Sequence, residues 1–571
     1  MNANHFQKGS LVRLISLPRI AFRTLLAIFC ANFATMLAMN SLKLAAALQP
    51  WVYFPLLVLF WWATKMVAPR TERLTELFPQ REAAWLVAGV LVMGLLFASV
   101  RFQYPLEPVM HRLALGIEDD ASHTQELNSL INSQHYPAQS SFTLSDYFSM
   151  YYAAWMLPVA LYWLLHFSFV TFKTVLFLGN GIYAVLFPLA LAYIVSEAAQ
   201  SKRQVYWAIY LGGFWCGLEW LVMLANPLVP YPFWLMKLGL HLDFASYAQS
   251  TTITNHHLSS AVAMLLCAYV WHRFRGAGCV LFVSLLLCYA FYSSVFAFLG
   301  GFPFALYLWV RSLRTRAGDA IAVSALSFLL IFPMLWMFLR KPGPVAFEFP
   351  EQHPRLIQLP RLLGGLHLHY GFWSGLLLFM AVIMLQFAYF IYVLVFKRQT
   401  LSRNEAVLAG LASLYIISTY FIGFSHANNY CLRGYVVPAF VLCWIASSRM
   451  PTLTRGLAIA LVIIALPTFQ YIANPVLRGF KDIIHPHAAL QGTSEIVALN
   501  MDRSIRQVDF SKYADIFAEK KFSQYSVEKM PTQSLDSLDI MDVELESYGP
   551  CGIWSWQRNP EIPAEPCPVK Q

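Results

Sequence analysis

Apolar runs of membrane-crossing length alternate along this chain with short polar links rich in arginine and lysine. A helix crosses the hydrocarbon core in about 20 mostly apolar residues. By that measure residues 24–41, 51–68, 84–100, 151–172, 174–197, 205–225, 256–273, 318–339, 371–396, 405–424, 434–448 and 455–473 are candidate spans. The long stretch 277–310 holds Gly300, Gly301 and Pro303 and reads as two shorter helices. The sum is about 11 to 14 spans.

The polar links give the chain a direction. Basic residues cluster at Arg13, Arg19 and Arg23, at Arg70, Arg73 and Arg81, at Lys202 and Arg203, at Arg273 and Arg275, at Arg311, Arg314 and Arg316, and at Lys397, Arg398 and Arg403. Cytoplasmic loops carry such an excess. The rule places the N-terminus and loop 68–83 inside the cell. Loops 101–150, 226–255, 340–370 and 425–433 then lie outside, as does the tail after about residue 474. One segment resists this alternation. Residues 174–197 precede the basic link 198–204, so they either bend back as a re-entrant pair or break the rule. The basic start, Met1 to Arg23, runs into apolar sequence without a small-residue cleavage site and reads as an uncleaved first span.

Composition agrees with this pattern. Of the 571 residues 58% are hydrophobic and 12% charged, against roughly 25% charged in soluble domains. The fold class is an all-α polytopic membrane protein, with a membrane domain over 1–474 and a polar appendage over 475–571 that ends in Pro560, Pro563, Pro566 and Pro568. The net charge of +10 is dispersed among the links instead of forming a stripe, which argues against nucleic acid as a partner. Most of the nine cysteines lie in apolar segments and read as small hydrophobes. Cys551 and Cys567 are close enough in the tail to form a disulfide if the tail is outside. There is no internal repeat and no P-loop, G-x-G-x-x-G or G-x-S-x-G motif, so nucleotide-driven and Rossmann chemistry lack support.

Candidate chemistry gathers in the external segments. Glu118, Asp119 and Asp120, followed by His123, stand in a polar loop. A carboxylate half removed from water can be tuned as a general base; the plain alternative is a solvated acidic turn that caps a helix over 121–132. A second group comprises Glu219, Asp243, Tyr247, Gln249 and the pair His256-His257 at the mouth of a span. Adjacent helical residues point about 100° apart, so the pair suits hydrogen bonding to phosphate or sugar better than chelation. The alternative is polar residues that seek the membrane interface. In a third group Arg433 stands at the outer end of a span, able to hold an anion by paired bonds or to reach lipid headgroups. Loop 340–370 adds charges and prolines and reads as an extended cover over a cavity or as a solvated loop.

Taken together, these patches resemble a known family. Gly116 to Asn128 followed by Tyr151-Tyr152 and Pro158 resembles bacterial membrane glycosyltransferases of the GT-C type, which use polyprenyl-phosphate sugars. The run Gly217-Leu218-Glu219, His241-Leu242-Asp243, Tyr247 and Asn255-His256-His257 is similar to a branch of large bacterial membrane proteins with GT-C-like architecture. Asn428 to Pro438 is similar to that branch's late Asn, Arg, Pro element. Two features depart from the pattern: the paired aspartates of better-known members are not evident, and Glu219 stands where the branch often has Asp.

The resemblance implies a GT-C-like bundle with a large first external loop. It implies a donor sugar on a polyprenyl phosphate, drawn from the outer leaflet, and an envelope glycan, lipid or protein as acceptor. Asp120 or Asp119, with Glu118 beside them, would activate the acceptor hydroxyl, and direct displacement would invert the sugar carbon. Arg433 with His256 or His257 would stabilise the leaving phosphate, and His123, Tyr151, Glu219 and Asp243 would bind substrate. No definite cofactor is implied, and a divalent metal is left open. The setting is the bacterial inner membrane, with the N-terminus cytoplasmic and the tail outside. A polymerase of lipid-linked repeat units and a transporter of lipid-linked glycans are the competing functions. A transporter should show charges deep in several spans and repeat symmetry.

Overall fold

The computed structural model describes residues 3–67, 73–101, 130–131, 133–137, 152–165, 172–214, 255–339, 347–348, 356–358, 367–369, 372–396, 401–421, 423–424 and 433–465. Among them the chain is helical apart from two short antiparallel ladders, which pair Phe347–Glu348 with Gly423–Phe424 and Leu356–Gln358 with His367–His369. The first strand of the former pair and both strands of the latter fall in loop 340–370 and give it extended backbone. Among the described residues five helical stretches are long and apolar enough to cross a membrane: Arg13–Ser41, Ala46–Met66, Gln80–Ala98, Gly181–Ala198 and Val295–Ser312. Five shorter apolar helices accompany them. Large apolar side chains such as Trp85, Leu329, Leu377 and Leu414 lie on the outside, as they do where helices face lipid instead of water. This is the architecture of a helical membrane protein.

The chain divides into two compact units, 1–34 with 55–98 and 182–474, and 35–54 with 99–181 and 475–571. The helices described include α1 (Ala3–Ser41), α2 (Gln49–Ala63), α3 (Arg73–Leu77), α4 (Gln80–Arg101), α5 (Met156–Leu165), α6 (Phe172–Ala198), α7 (Lys202–Phe214), α8 (Asn255–Arg273), α9 (Ala277–Ser293), α10 (Val295–Ser312), α11 (Ala317–Leu339), α12 (Phe372–Gln386), α13 (Ala388–Ile391), α14 (Arg403–Phe421), α15 (Val436–Ser447) and α16 (Arg455–Ala465).

In the first unit the helices run up and down, and side-chain pairs fix their directions. Phe22 meets Tyr193 and Phe29 meets Tyr183, so α1 and α6 are antiparallel. Ser260 reaches Ala290 while Cys279 reaches Val270, so α8 and α9 are antiparallel too. The donors Ser284, Cys288 and Tyr292 reach the carbonyls of Val323, Ser327 and Ile331 in step, so α9 and α11 are parallel. The described basic links come together at one end by these directions. There Arg73 N–H donates to Glu197, Lys202 pairs with Glu82 at 3.2 Å, Arg449 pairs with Glu405 at 2.6 Å, and the Arg316 guanidinium donates to the Phe274 and Trp271 carbonyls.

The same contacts resolve the segment that broke the alternation. Residues 174–197 do not bend back, and they obey the charge rule: α6 is one continuous helix over Phe172–Ala198. Glu197 lies near Arg73 just before α4, and Gly94 faces the backbone of Val185. Thus α4 runs away from the arginine-rich end and α6 runs back to it.

The stretch 277–310 is two helices, but they do not part at the glycines. The reversal is at Ser294, and Gly300 and Gly301 lie inside α10. In the second unit the buried Gln49 binds two segments at once: its Nε2 donates to the Met156 carbonyl at 2.7 Å and its Oε1 accepts from Tyr136 OH at 2.9 Å.

Candidate functional site

At the end remote from the arginines, α9 and α10 are joined by a single non-helical residue. Ser294 has extended backbone, φ −164° and ψ 108°. Two helix ends meet there, so carbonyls of α9 and N–H groups of α10 lack partners within their own helices. In a dry interior each such group costs several kcal/mol if left bare. The backbone supplies part of these, Ser294 N–H donating to the Ala290 carbonyl at 3.0 Å and Phe298 N–H to the Ser294 carbonyl at 2.9 Å, and side chains of α8 add to them. Ser260 Oγ–H donates to the carbonyls of Ala290 at 2.8 Å and Ser294 at 3.2 Å. One turn earlier, His257 Nδ1 lies 2.7 Å from Ser294 Oγ. The same hydroxyl accepts the Ala297 N–H at 3.3 Å and so caps α10. Residues 257 and 260 share a helix face because they are three apart.

Further neutral polar groups adjoin this reversal. Tyr289 OH donates to Ser259 Oγ at 3.0 Å, and the Tyr289 ring stacks on Phe29 with centroids 4.4 Å apart. Asn32 Nδ2 on α1 donates to Tyr183 OH on α6 at 2.9 Å. Asn32, Ser259, Ser260, Ser294 and Tyr289 are all buried. None of these was singled out by sequence reasoning. The available signals were Asn32 inside an apolar run and Ser259-Ser260 directly after the histidine pair, since polar groups within spans face interiors.

Arg433 is brought to the same helix by main chain. A Cβ added to Gly300 would overlap the carbonyl of Gly434, and one added to Gly434 would overlap the Tyr415 hydroxyl. The backbone at 434 therefore lies directly on the second turn of α10, with α14 on its other side. Beside this end a cavity of about 40 Å³ opens between α7, α8, α13 and α15, with Leu258, Gln386, Tyr389 and Tyr435 in its wall. It has room for a few water molecules.

Of the ten predicted site residues, His257 and Arg433 are described in full: His257 meets the cap of α10, and Gly434, the residue after Arg433, lies against its second turn. His256 lies in the first turn of α8, and its side chain is outside the described residues. Glu118, Asp119, Asp120, His123, Tyr151, Glu219 and Asp243 lie outside them entirely, as does the tail with Cys551 and Cys567. Among the described residues no three His, Cys, Asp or Glu side chains are grouped to hold a metal.

A helix N-terminus, its serine cap and an imidazole form a set suited to an anion, and the backbone next to Arg433 lies on the second turn of the same helix. The N-terminal dipole adds positive potential at the same point. No family model, curated protein or solved structure matches this chain.

Proposed function

We propose that this chain is a multi-pass glycosyltransferase of the bacterial inner membrane. It moves a sugar from a polyprenyl phosphate to an envelope glycan, lipid or protein on the extracytoplasmic side. One observation carries the reading: His257 and the Gly434 backbone beside Arg433, distant in sequence, meet the first two turns of one helix at the end away from the basic links. That is where a departing phosphate would need positive charge and hydrogen-bond donors. In this reading the first external loop brings Asp120, with Asp119 and Glu118 beside it, to the acceptor hydroxyl as general base. The bundle is GT-C-like, with about 11 to 14 spans. The deep polar groups Asn32, Ser259 and Tyr289 are uncharged, which favours transfer chemistry over ion-coupled transport.

The test is transfer of labelled sugar from a polyprenyl-phosphate donor in membranes that contain the protein. Asp120→Asn and Arg433→Ala should each lower transfer by roughly 100-fold or more, the scale of a lost base or anion donor, at unchanged protein level. Full activity in a variant with Glu118, Asp119 and Asp120 all replaced by alanine would sink the mechanism.

A further inference from the structure

We propose that Arg23 and Lys65 bind the phosphate of an anionic glycerophospholipid at the arginine-rich end, where α1 meets the 3-10 turn that ends the second span. The proposal rests on the reading that this end faces a leaflet carrying anionic lipid. That turn is Thr64–Met66. Arg23 crosses from α1 to stand over the Trp61 ring, its Cζ 4.4 Å from the centroid. Its Nε donates to Thr64 Oγ1 at 2.8 Å and its Nη2 to the Trp61 carbonyl at 3.2 Å. Lys65 stands over the next ring, with Nζ 5.7 Å from the Trp62 centroid. Trp61 and Trp62 are 42% and 61% exposed. Amphipathic rings of this kind favour the headgroup level.

Both acceptors that hold Arg23 are neutral, and they use two of its five N–H groups. Arg19 lies one turn earlier on α1, where like charges repel. The Lys65 side chain is exposed and its ammonium makes no hydrogen bond among the described residues. Two cations are thus held at a lipid-facing edge against neutral groups, and a phosphodiester supplies the missing charge. Lys202 and Arg449 at this end have carboxylate partners instead, Glu82 and Glu405. Arg316 also lies over a Trp ring, that of Trp271, and bonds the Trp271 and Phe274 carbonyls. A general attraction of basic loops to the membrane would not distinguish these groups. A headgroup site at Arg23 and Lys65 does.

The experiment uses the full chain in nanodiscs of phosphatidylcholine alone or mixed with phosphatidylglycerol. Native mass spectrometry counts the retained lipids, and thermal unfolding is followed in parallel. Wild type should retain phosphatidylglycerol over phosphatidylcholine and melt higher in the mixture. Arg23→Gln with Lys65→Gln should lower that preference by about tenfold, whereas Lys202→Gln should keep it. Lys65→Gln alone, at an exposed position, covers the case in which the double variant does not fold, and it should show a partial loss. Undiminished preference in the variants, or equal loss in Lys202→Gln, overturns the proposal. So does equal protection by inorganic phosphate, which would make this a free-phosphate site.

Discussion

The Ser294 hydroxyl caps α10 through the Ala297 N–H and at the same time meets His257 Nδ1 at 2.7 Å. A hydroxyl has one proton and two lone pairs. With one lone pair on Ala297, Ser294 either gives its proton to the imidazole or takes one from it, and both contacts are satisfied. The two residues should behave as a unit. Ser294→Ala removes a cap and a buried bond, at about 1–2 kcal/mol, and His257→Ala a similar amount. In a double-mutant cycle in detergent their coupling should be at least 0.5–1 kcal/mol or about that. Strictly additive losses would mean the contact contributes nothing.

Glu405 provides a pH test. It stands in the polar first turn of α14, ahead of the apolar run, and closes a capping box with Ser402. Partial burial pushes its carboxyl up, but the bonds from Arg449 and Ser402 outweigh this and hold it at about 2 instead of 4.5. A folded value below the unfolded one contributes stability above pH 4.5 that is lost as pH falls toward 2. Wild type should therefore exceed Glu405→Gln by roughly 1 kcal/mol near neutrality, and the gap should close on acidification. A gap unchanged across a pH series of unfolding midpoints would contradict this assignment.

Two glycines should respond in opposite ways. Gly300→Ala forces a methyl into the Gly434 carbonyl and should cost 2 kcal/mol or more, roughly the upper range for overpacking, or prevent folding. Gly410 on α14 is exposed and a Cβ there meets nothing within 4 Å. Gly410→Ala should be neutral or stabilise by about 0.5–1 kcal/mol through helix propensity. Similar melting of the two variants would refute the close approach.

The direction of α6 can be checked from outside the membrane. Glu82 and Lys202 share one end, so single cysteines at these positions should react with an impermeant thiol reagent from the same face. Labelling of one alone would reverse α6.

Much of the helical pattern was legible in the sequence because period and length suffice where every face must be apolar. The helices Asn255–Arg273 and Ala317–Leu339 fall within a residue or so of the expected 256–273 and 318–339. Three things were not legible. The first helix begins well before its apolar run, since Arg13 to Arg23 are compatible with helix and only their partners decide. The α9–α10 reversal sits at Ser294 and not at Gly300-Gly301, because those glycines serve a close crossing with Gly434, and a crossing depends on residues far away in sequence. The direction of α6 was hidden because hydropathy registers that 151–172 is apolar but not whether it crosses. Of the candidate site, the histidine pair and Arg433 were visible as polar residues at span mouths. The Ser294 cap that His257 meets was not, because two adjacent serines, Ser293 and Ser294, between apolar runs carry no signal of which one caps a helix.

Gly300 meets Gly434 main chain on main chain, with the Tyr415 hydroxyl against Gly434, so neither glycine has room for a side chain. Substitutions elsewhere in the lining leave that constraint in place. Diversification of such a protein toward new partners would have to proceed in its loops, while this crossing stays the fixed datum against which they are measured.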